Sequence, residues 1–184
     1  ALIVGPNDPA AMMRLVKECR AKGLPFVFDP AHQLPRLSAE DVTEGARGAW
    51  ILIGNDYELE LIMQRTGRTM EGLMELAEIV VTTLGREGSR IATSSGQVDI
   101  PPAPALRESD PTGAGDAYRS GLVAGLLRGL ELEEAGRVAS LAATYAVEQV
   151  GTVEHSYTLA EFSHRYQEAF GAALPPKFGG LAAR

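Results

Sequence analysis

The stretch ALIVGPNDPAAMMRLVKECRAKGLPFVFDP, residues 1–30, decides the fold class. Ala1 to Gly5 is an apolar run of the kind that forms a buried strand. Asp8 followed by Pro9 is an N-cap and first-turn signature, and Met12, Leu15, Val16 and Cys19 then recur at helical spacing until Gly23 closes the helix. Pro25 to Pro30 holds a second short apolar strand running into a turn. Strand, helix and strand in so few residues make one β-α-β unit, which requires a right-handed crossover and a parallel sheet.

The pattern continues outward. Ser38 and Asp41 have the spacing of a capping box, and open a short helix ahead of the strand Ala49–Ile53, which ends at Gly54-Asn55. A helix through Glu58, Leu59, Leu61, Ile62 and Met63 stops at Gly67, and Thr69 starts another through Leu73, Leu76 and Ala77. Ile79 to Leu84 is a fourth strand. Turn residues Gly85 and Gly88 precede Ile91–Thr93 and Gln97–Ile100, two short antiparallel strands extending the parallel sheet at one edge. Three prolines, Pro101, Pro102 and Pro104, mark an extended connection. Helices follow at 114–128, 133–148 and, behind a Thr158/Glu161 capping box, 159–170. The reading is one α/β domain over residues 1–171 with a loosely held tail at 172–184.

Composition narrows the function. The 184 residues are 45% hydrophobic and 22% charged with a net charge of −7, as expected of a globular protein and unsuited to broad contact with nucleic acid or an anionic membrane. A lone cysteine, Cys19, excludes an internal disulfide or a cysteine-rich zinc site, and His32, His155 and His164 are scattered. No run approaches the roughly 18 apolar residues that span a bilayer, and no secretory leader pattern opens the chain. The expected setting is the cytoplasm, and the expected chemistry concerns small molecules.

That chemistry concentrates in Asp110-Pro111-Thr112-Gly113-Ala114-Gly115-Asp116, between the extended connection and an apolar helix. Small residues let a ligand reach the backbone, and the N–H groups of a first helical turn attract a phosphoryl anion. Asp116 falls in that turn, where a carboxylate can take the proton of a hydroxyl attacking a phosphate. Taken alone, the two glycines could equally shape a tight turn with Asp110 and Asp116 as caps. Tyr118 stands where a dinucleotide fingerprint needs its third glycine, and the chain holds no P-loop.

The segment resembles the second signature of the ribokinase-like (PfkB) family of carbohydrate and nucleoside kinases, and Ala117 to Leu122 continues the likeness. Asn55-Asp56-Tyr57-Glu58 is similar to that family's Asn-x-x-Glu motif. Thr83-Leu84-Gly85-Arg86-Glu87-Gly88 is similar to its nucleotide loop, and all three occur in the family's order. The resemblance implies a three-layer α/β/α fold around a mostly parallel sheet. It makes Asp116 the catalytic base and Gly113, Ala114 and Gly115 the anion hole. Thr83, Gly85 and Gly88 would contact ATP. Asn55 and Glu58 would place Mg²⁺, through water where needed, and carbonyls around Asp110 and Thr112 would hold a monovalent cation such as K⁺. Adenine would lie near the loop after Gln97–Ile100 and near Ala142–Val147.

Pro111, Arg119, the segment Gly151–His155 and the segment Asp29–Leu34 look more like the adenosine-kinase-like branch. The acceptor implied is the hydroxymethyl group of a nucleoside, adenosine first, or of a sugar. The family's early Gly-Gly-x-x-x-Asn motif and substrate lid have no counterpart here, so the expected fold is incomplete at its N-terminal side and the chain is expected to be the later part of a kinase. Apolar surface left at that side would favour association, a homodimer included. Two rivals remain at this point: a non-catalytic nucleotide-binding fragment, and a structural α/β domain whose glycines only shape turns.

Overall fold

The computed structural model describes residues 1–152 and 154–179. Its residues divide into two compact units, one of Ala1–Leu84 with Arg90–Gln97, the other of Gly85–Ser89 with the residues from Val98 on. Among the described residues no helix is long and apolar enough to cross a membrane.

In the first unit the opening run forms β1 (Leu2–Val4), followed by α1 (Pro9–Lys22) and β2 (Phe26–Phe28). Asp8 caps α1 by accepting the N–H of Ala11, and Gly23 ends it in the left-handed conformation. A 3₁₀ segment at Ala31–Arg36, which the sequence pattern did not suggest, leads to α2 (Ala39–Ala46), whose Ser38/Asp41 capping box closes in both directions. Then come β3 (Ile51–Asn55), α3 (Asp56–Thr66), α4 (Met70–Met74) and β4 (Ile79–Thr83). The sequence reading carried α4 on through Leu76 and Ala77. Instead, both residues turn their N–H groups back onto the Leu73 carbonyl, ending the helix before β4.

Strands β1 to β4 pair in parallel. All three residues of β2 and the first four of β3 are buried, the continuous burial expected of a parallel sheet covered on both faces. Met12, Val16, Phe28, Leu52, Leu59 and Ile62 are the heart of the packed core beside them. Two further strands, β5 (Ser89–Thr93) and β6 (Gly96–Ile100), complete the order β1-β2-β3-β4-β5-β6. The two-residue link between them admits only antiparallel pairing. The α/β class, with a mainly parallel sheet extended at one edge, is as expected.

The second unit begins with a 3₁₀ turn at Gly85–Glu87 and continues, after β6, as an extended strap. Helices α5 (Ala114–Leu127), α6 (Leu132–Val147) and α7 (Leu159–Phe170) follow. Helices α5 and α6 pack backbone to backbone. A Cβ on Gly121 would come within 3.0 Å of the Ala139 Cα, and one on Gly125 within 3.0 Å of the Ala135 Cα. The strap is stitched to α6 by hydroxyls: Ser140 donates to the Pro101 carbonyl and accepts the Ala103 N–H, and Thr144 donates to the Ala103 carbonyl. Pro176–Gly179 forms a short helical turn, α8, with Phe178 stacked on Phe162 at 5.8 Å and under Arg128 at 5.0 Å. Residues 180–184 lie outside the described residues.

Gly121→Val is expected to cost about 1–3 kcal/mol, because no side chain can move aside for it. Urea unfolding should show this as a lower midpoint with an unchanged slope.

Candidate active site

Each unit carries its own share of the predicted residues. In the first, Asn55 ends β3 directly opposite Thr83 at the end of β4, so the parallel register sets them side by side. Asn55 is also the N-cap of α3: its Oδ1 accepts the Glu58 N–H at 2.8 Å, and the Glu58 carboxylate accepts the Asn55 N–H at 2.8 Å. This reciprocal box satisfies two otherwise unpaired helix-end donors and holds the carboxylate beside the strand ends, where open α/β sheets bind ligands. Among the described residues no three His, Cys, Asp or Glu side chains gather as a metal cage. The Asn55/Glu58 donor set instead fits a hydrated Mg²⁺, which keeps its waters and takes one or two carboxylates together with phosphate oxygens.

The second unit holds the loop Asp110–Asp116. The Asp110 carboxylate accepts the Thr112 N–H at 2.9 Å and the Gly151 N–H at 3.2 Å. The Thr112 hydroxyl, with those two amides, holds the Asp110 carboxyl below its ordinary range, so it stays charged at neutral pH. The side chain is thus engaged within the loop, and a cation at Asp110 and Thr112 would meet main-chain carbonyls. Gly113 precedes α5 with φ +87°, and a Cβ there would come within 3.0 Å of the Thr152 carbonyl. Both conformation and space call for glycine.

Ala114, Gly115 and Asp116 form the first turn of α5. Ala114 donates its N–H to the Pro111 carbonyl at 3.1 Å, so one of the three amides assigned to the anion hole is engaged by the loop itself. Asp116 is 70% exposed, and Arg119, one turn on and nearly buried, donates to its Oδ1. The carboxylate therefore has a fixed partner on one oxygen and solvent access.

Gly85 and Gly88 belong to the same unit. Gly88 has φ +92°, and a Cβ on it would sit 2.1 Å from the Ile100 carbonyl. Next to it, Ser89 pairs with the Tyr118 hydroxyl at 2.6 Å, and burial pushes that phenol up to about 12. Arg86 forms an ion pair with Glu108 on the strap. The glycine turn is thereby tied both to α5 and to the segment leading into its loop. Sequence reasoning missed Ser89 and Tyr118. The available signal was Tyr118 itself, a large residue where the fingerprint has glycine. It also missed Glu148 and Arg165, whose charges read as ordinary helix-surface residues. Gly151 and Thr152 were noted only as a branch resemblance, and Val153 of that segment lies outside the described residues.

A model of the pfkB family of carbohydrate kinases matches residues 2–158. A nucleoside kinase of Methanothermobacter thermautotrophicus is 33% identical over 177 residues, which cover 95% of this chain and 56% of the relative. The structure of a Burkholderia thailandensis nucleoside kinase in complex with inosine matches with a TM-score of 0.91 and 34% identity, covering 94% of this chain and 57% of that one. Its complex with ADP-inosine matches with the same TM-score at 33% identity, over 94% of this chain and 55% of that one. The chain spans about half the length of the curated relatives it matches.

Gly113→Ala is expected to lose about 1–2 kcal/mol from the left-handed backbone alone, with more from the approach to Thr152. Thermal melting beside the parent chain would read the loss.

Proposed function

The chain belongs to the pfkB family of carbohydrate kinases, and on that premise we propose that it serves an ATP-dependent nucleoside kinase, with Asp116 as the general base. The observation that carries the reading is the first turn of α5. It presents an exposed carboxylate beside the amide-lined helix start that Gly113 opens. The acceptor is a nucleoside, whose hydroxymethyl oxygen attacks the γ-phosphorus of ATP. The relative's name and the inosine-bound neighbour support that class, and inosine widens the choice beyond adenosine to purine nucleosides in general. The ADP-inosine complex of the neighbour supports ATP as donor.

In the step proposed, the acceptor O–H gives its proton to Asp116 as the oxygen attacks the γ-phosphorus. The bond from that phosphorus to the β–γ bridging oxygen breaks, and ADP leaves with the electron pair. Arg119 holds the carboxylate in its acceptor orientation. Amides at the start of α5, Gly113 and Gly115 foremost, stabilise charge on the moving phosphoryl group, reinforced by the helix dipole. Thr83, Gly85 and Gly88 line the nucleotide phosphates. Asn55 and Glu58 would hold Mg²⁺ through its waters, and the carbonyls of Asp110 and Thr112 a monovalent cation. The metal, when bound, neutralises phosphate charge.

Asp116→Asn in the full chain is expected to lower kcat with ATP-Mg²⁺ and inosine by about 10²–10⁴-fold, while calorimetric ATP affinity stays near the parent value. Undiminished turnover would remove Asp116 from its role. ATP binding by the parent without any transfer would favour a nucleotide-binding protein that is not a kinase.

A further inference from the structure

Glu148 is an unexpected residue where it stands. It follows α6 at its C-terminal end, the negative end of the helix dipole, and its side chain is only 7% exposed. Its partner Arg165, on α7, is 12% exposed. A buried ion pair is a poor source of stability, because desolvating both charges consumes most of what their attraction returns. Such a pair calls for an explanation in terms of what it holds in place.

It holds the strap that delivers the Asp110–Asp116 loop. Arg165 grips Glu148 with both terminal nitrogens, Nη1 reaching Oε2 at 2.6 Å and Nη2 reaching Oε1. Oε1 also accepts the Leu106 N–H at 2.6 Å, and Arg165 donates onward to the Pro104 carbonyl at 3.0 Å. The Glu148 carbonyl takes the Arg107 Nε at 2.9 Å and the Ser109 hydroxyl at 3.1 Å. The Val147 carbonyl takes the N–H groups of Ser109 and Asp110, at 2.9 and 3.1 Å. Tyr145, one turn back on α6, lies under the Arg165 guanidinium at 4.6 Å. Beyond the clamp, Asp110 reaches Gly151 and Gly113 abuts Thr152, so the loop is referred to the same helix end a second time.

We propose that Glu148 and Arg165 are positioning residues for phosphoryl transfer, fixing the strap 104–110 so that the α5 amides and Asp116 meet the reacting phosphate in register. The proposal rests on the kinase reading of the site. Burial alone would push the Glu148 carboxyl up, but the Arg165 fork, the Leu106 N–H and the charges of Arg165 and Arg107 outweigh it and hold the group below its usual range. The clamp is therefore charged and closed at neutral pH.

The test compares Glu148→Gln, Arg165→Lys and the control Glu133→Gln in the full chain, with ATP-Mg²⁺ and inosine as substrates. Glutamine keeps an acceptor for Leu106 but breaks the charge pair, and lysine keeps the charge but loses the fork. Both are expected to lower kcat by about 10- to 100-fold per folded molecule, with the KM for ATP changed by less than about threefold. Amide hydrogen exchange at 110–116 should quicken while the interiors of α5 and α6 keep their protection. Glu133 pairs with Arg137 at the other end of α6, and its variant should match the parent. Parent-like kcat in the folded Glu148 and Arg165 variants would overturn the proposal. So would global unfolding of both, which would make the pair a general stability element. If Asp116→Asn also retains full turnover, the kinase reading itself has failed. Loss of turnover in that variant beside parent-like Glu148 and Arg165 variants confines the failure to the clamp.

Discussion

Backbone amides can serve an anion only where the protein leaves them uncommitted, so the loop that presents them must be held by other groups. The second unit is organised around this constraint. Among the described residues, the loop and its strap are tethered through a carboxylate at Asp110 and main-chain acceptors at Val147 and Glu148. Ala114 marks the limit of the arrangement, since its N–H is used by the turn itself. What remains is a helix start whose shape is set from behind.

The first unit meets a simpler demand by a shared solution. Asn55 must end a strand and begin a helix within one residue, and its capping box with Glu58 does both. That same box orients the carboxylate proposed for Mg²⁺, while the register of β3 on β4 brings Thr83 level with it. The helix cap and the proposed ligand site would draw on one set of contacts.

Much of this was legible in the sequence for physical reasons. The apolar runs at 26–28, 51–53 and 79–81 are short and continuous, as buried strands of a parallel sheet are, while the run at 2–4 forms a strand whose Leu2 and Ile3 stay exposed; Gly23, Gly67, Ser38 and Thr158 carry their helix ends locally. The loop at 110–116 is a contiguous segment, so its small residues and two carboxylates stood out together in the sequence. The clamp was not legible, because Glu148 and Arg165 are 17 residues apart in sequence and each looks like a solvated helix charge until α7 folds back. Tyr118 met the same fate: its partner Ser89 is distant in sequence, and only tertiary contact turns the pair into a tie. The 3₁₀ segment at Ala31–Arg36 was missed because Pro30 and Pro35, one before it and one inside it, are residues that interrupt regular helices.

The glycine contacts between α5 and α6 have a consequence beyond packing. Where Gly121 lies on Ala139, a Cβ would meet the α6 backbone and the Ala142 methyl, so no flexible side chain stands there to absorb a displacement. Helix α5 therefore cannot slide or roll on α6 by repacking rotamers, and Asp116 at its start inherits that immobility. Since the strap and the loop are also anchored to α6, Asp116 and the amides at the start of α5 share one datum. A disturbance of α6 would carry both together and preserve their spacing, whereas a disturbance of the strap would act on the residues ahead of Gly113.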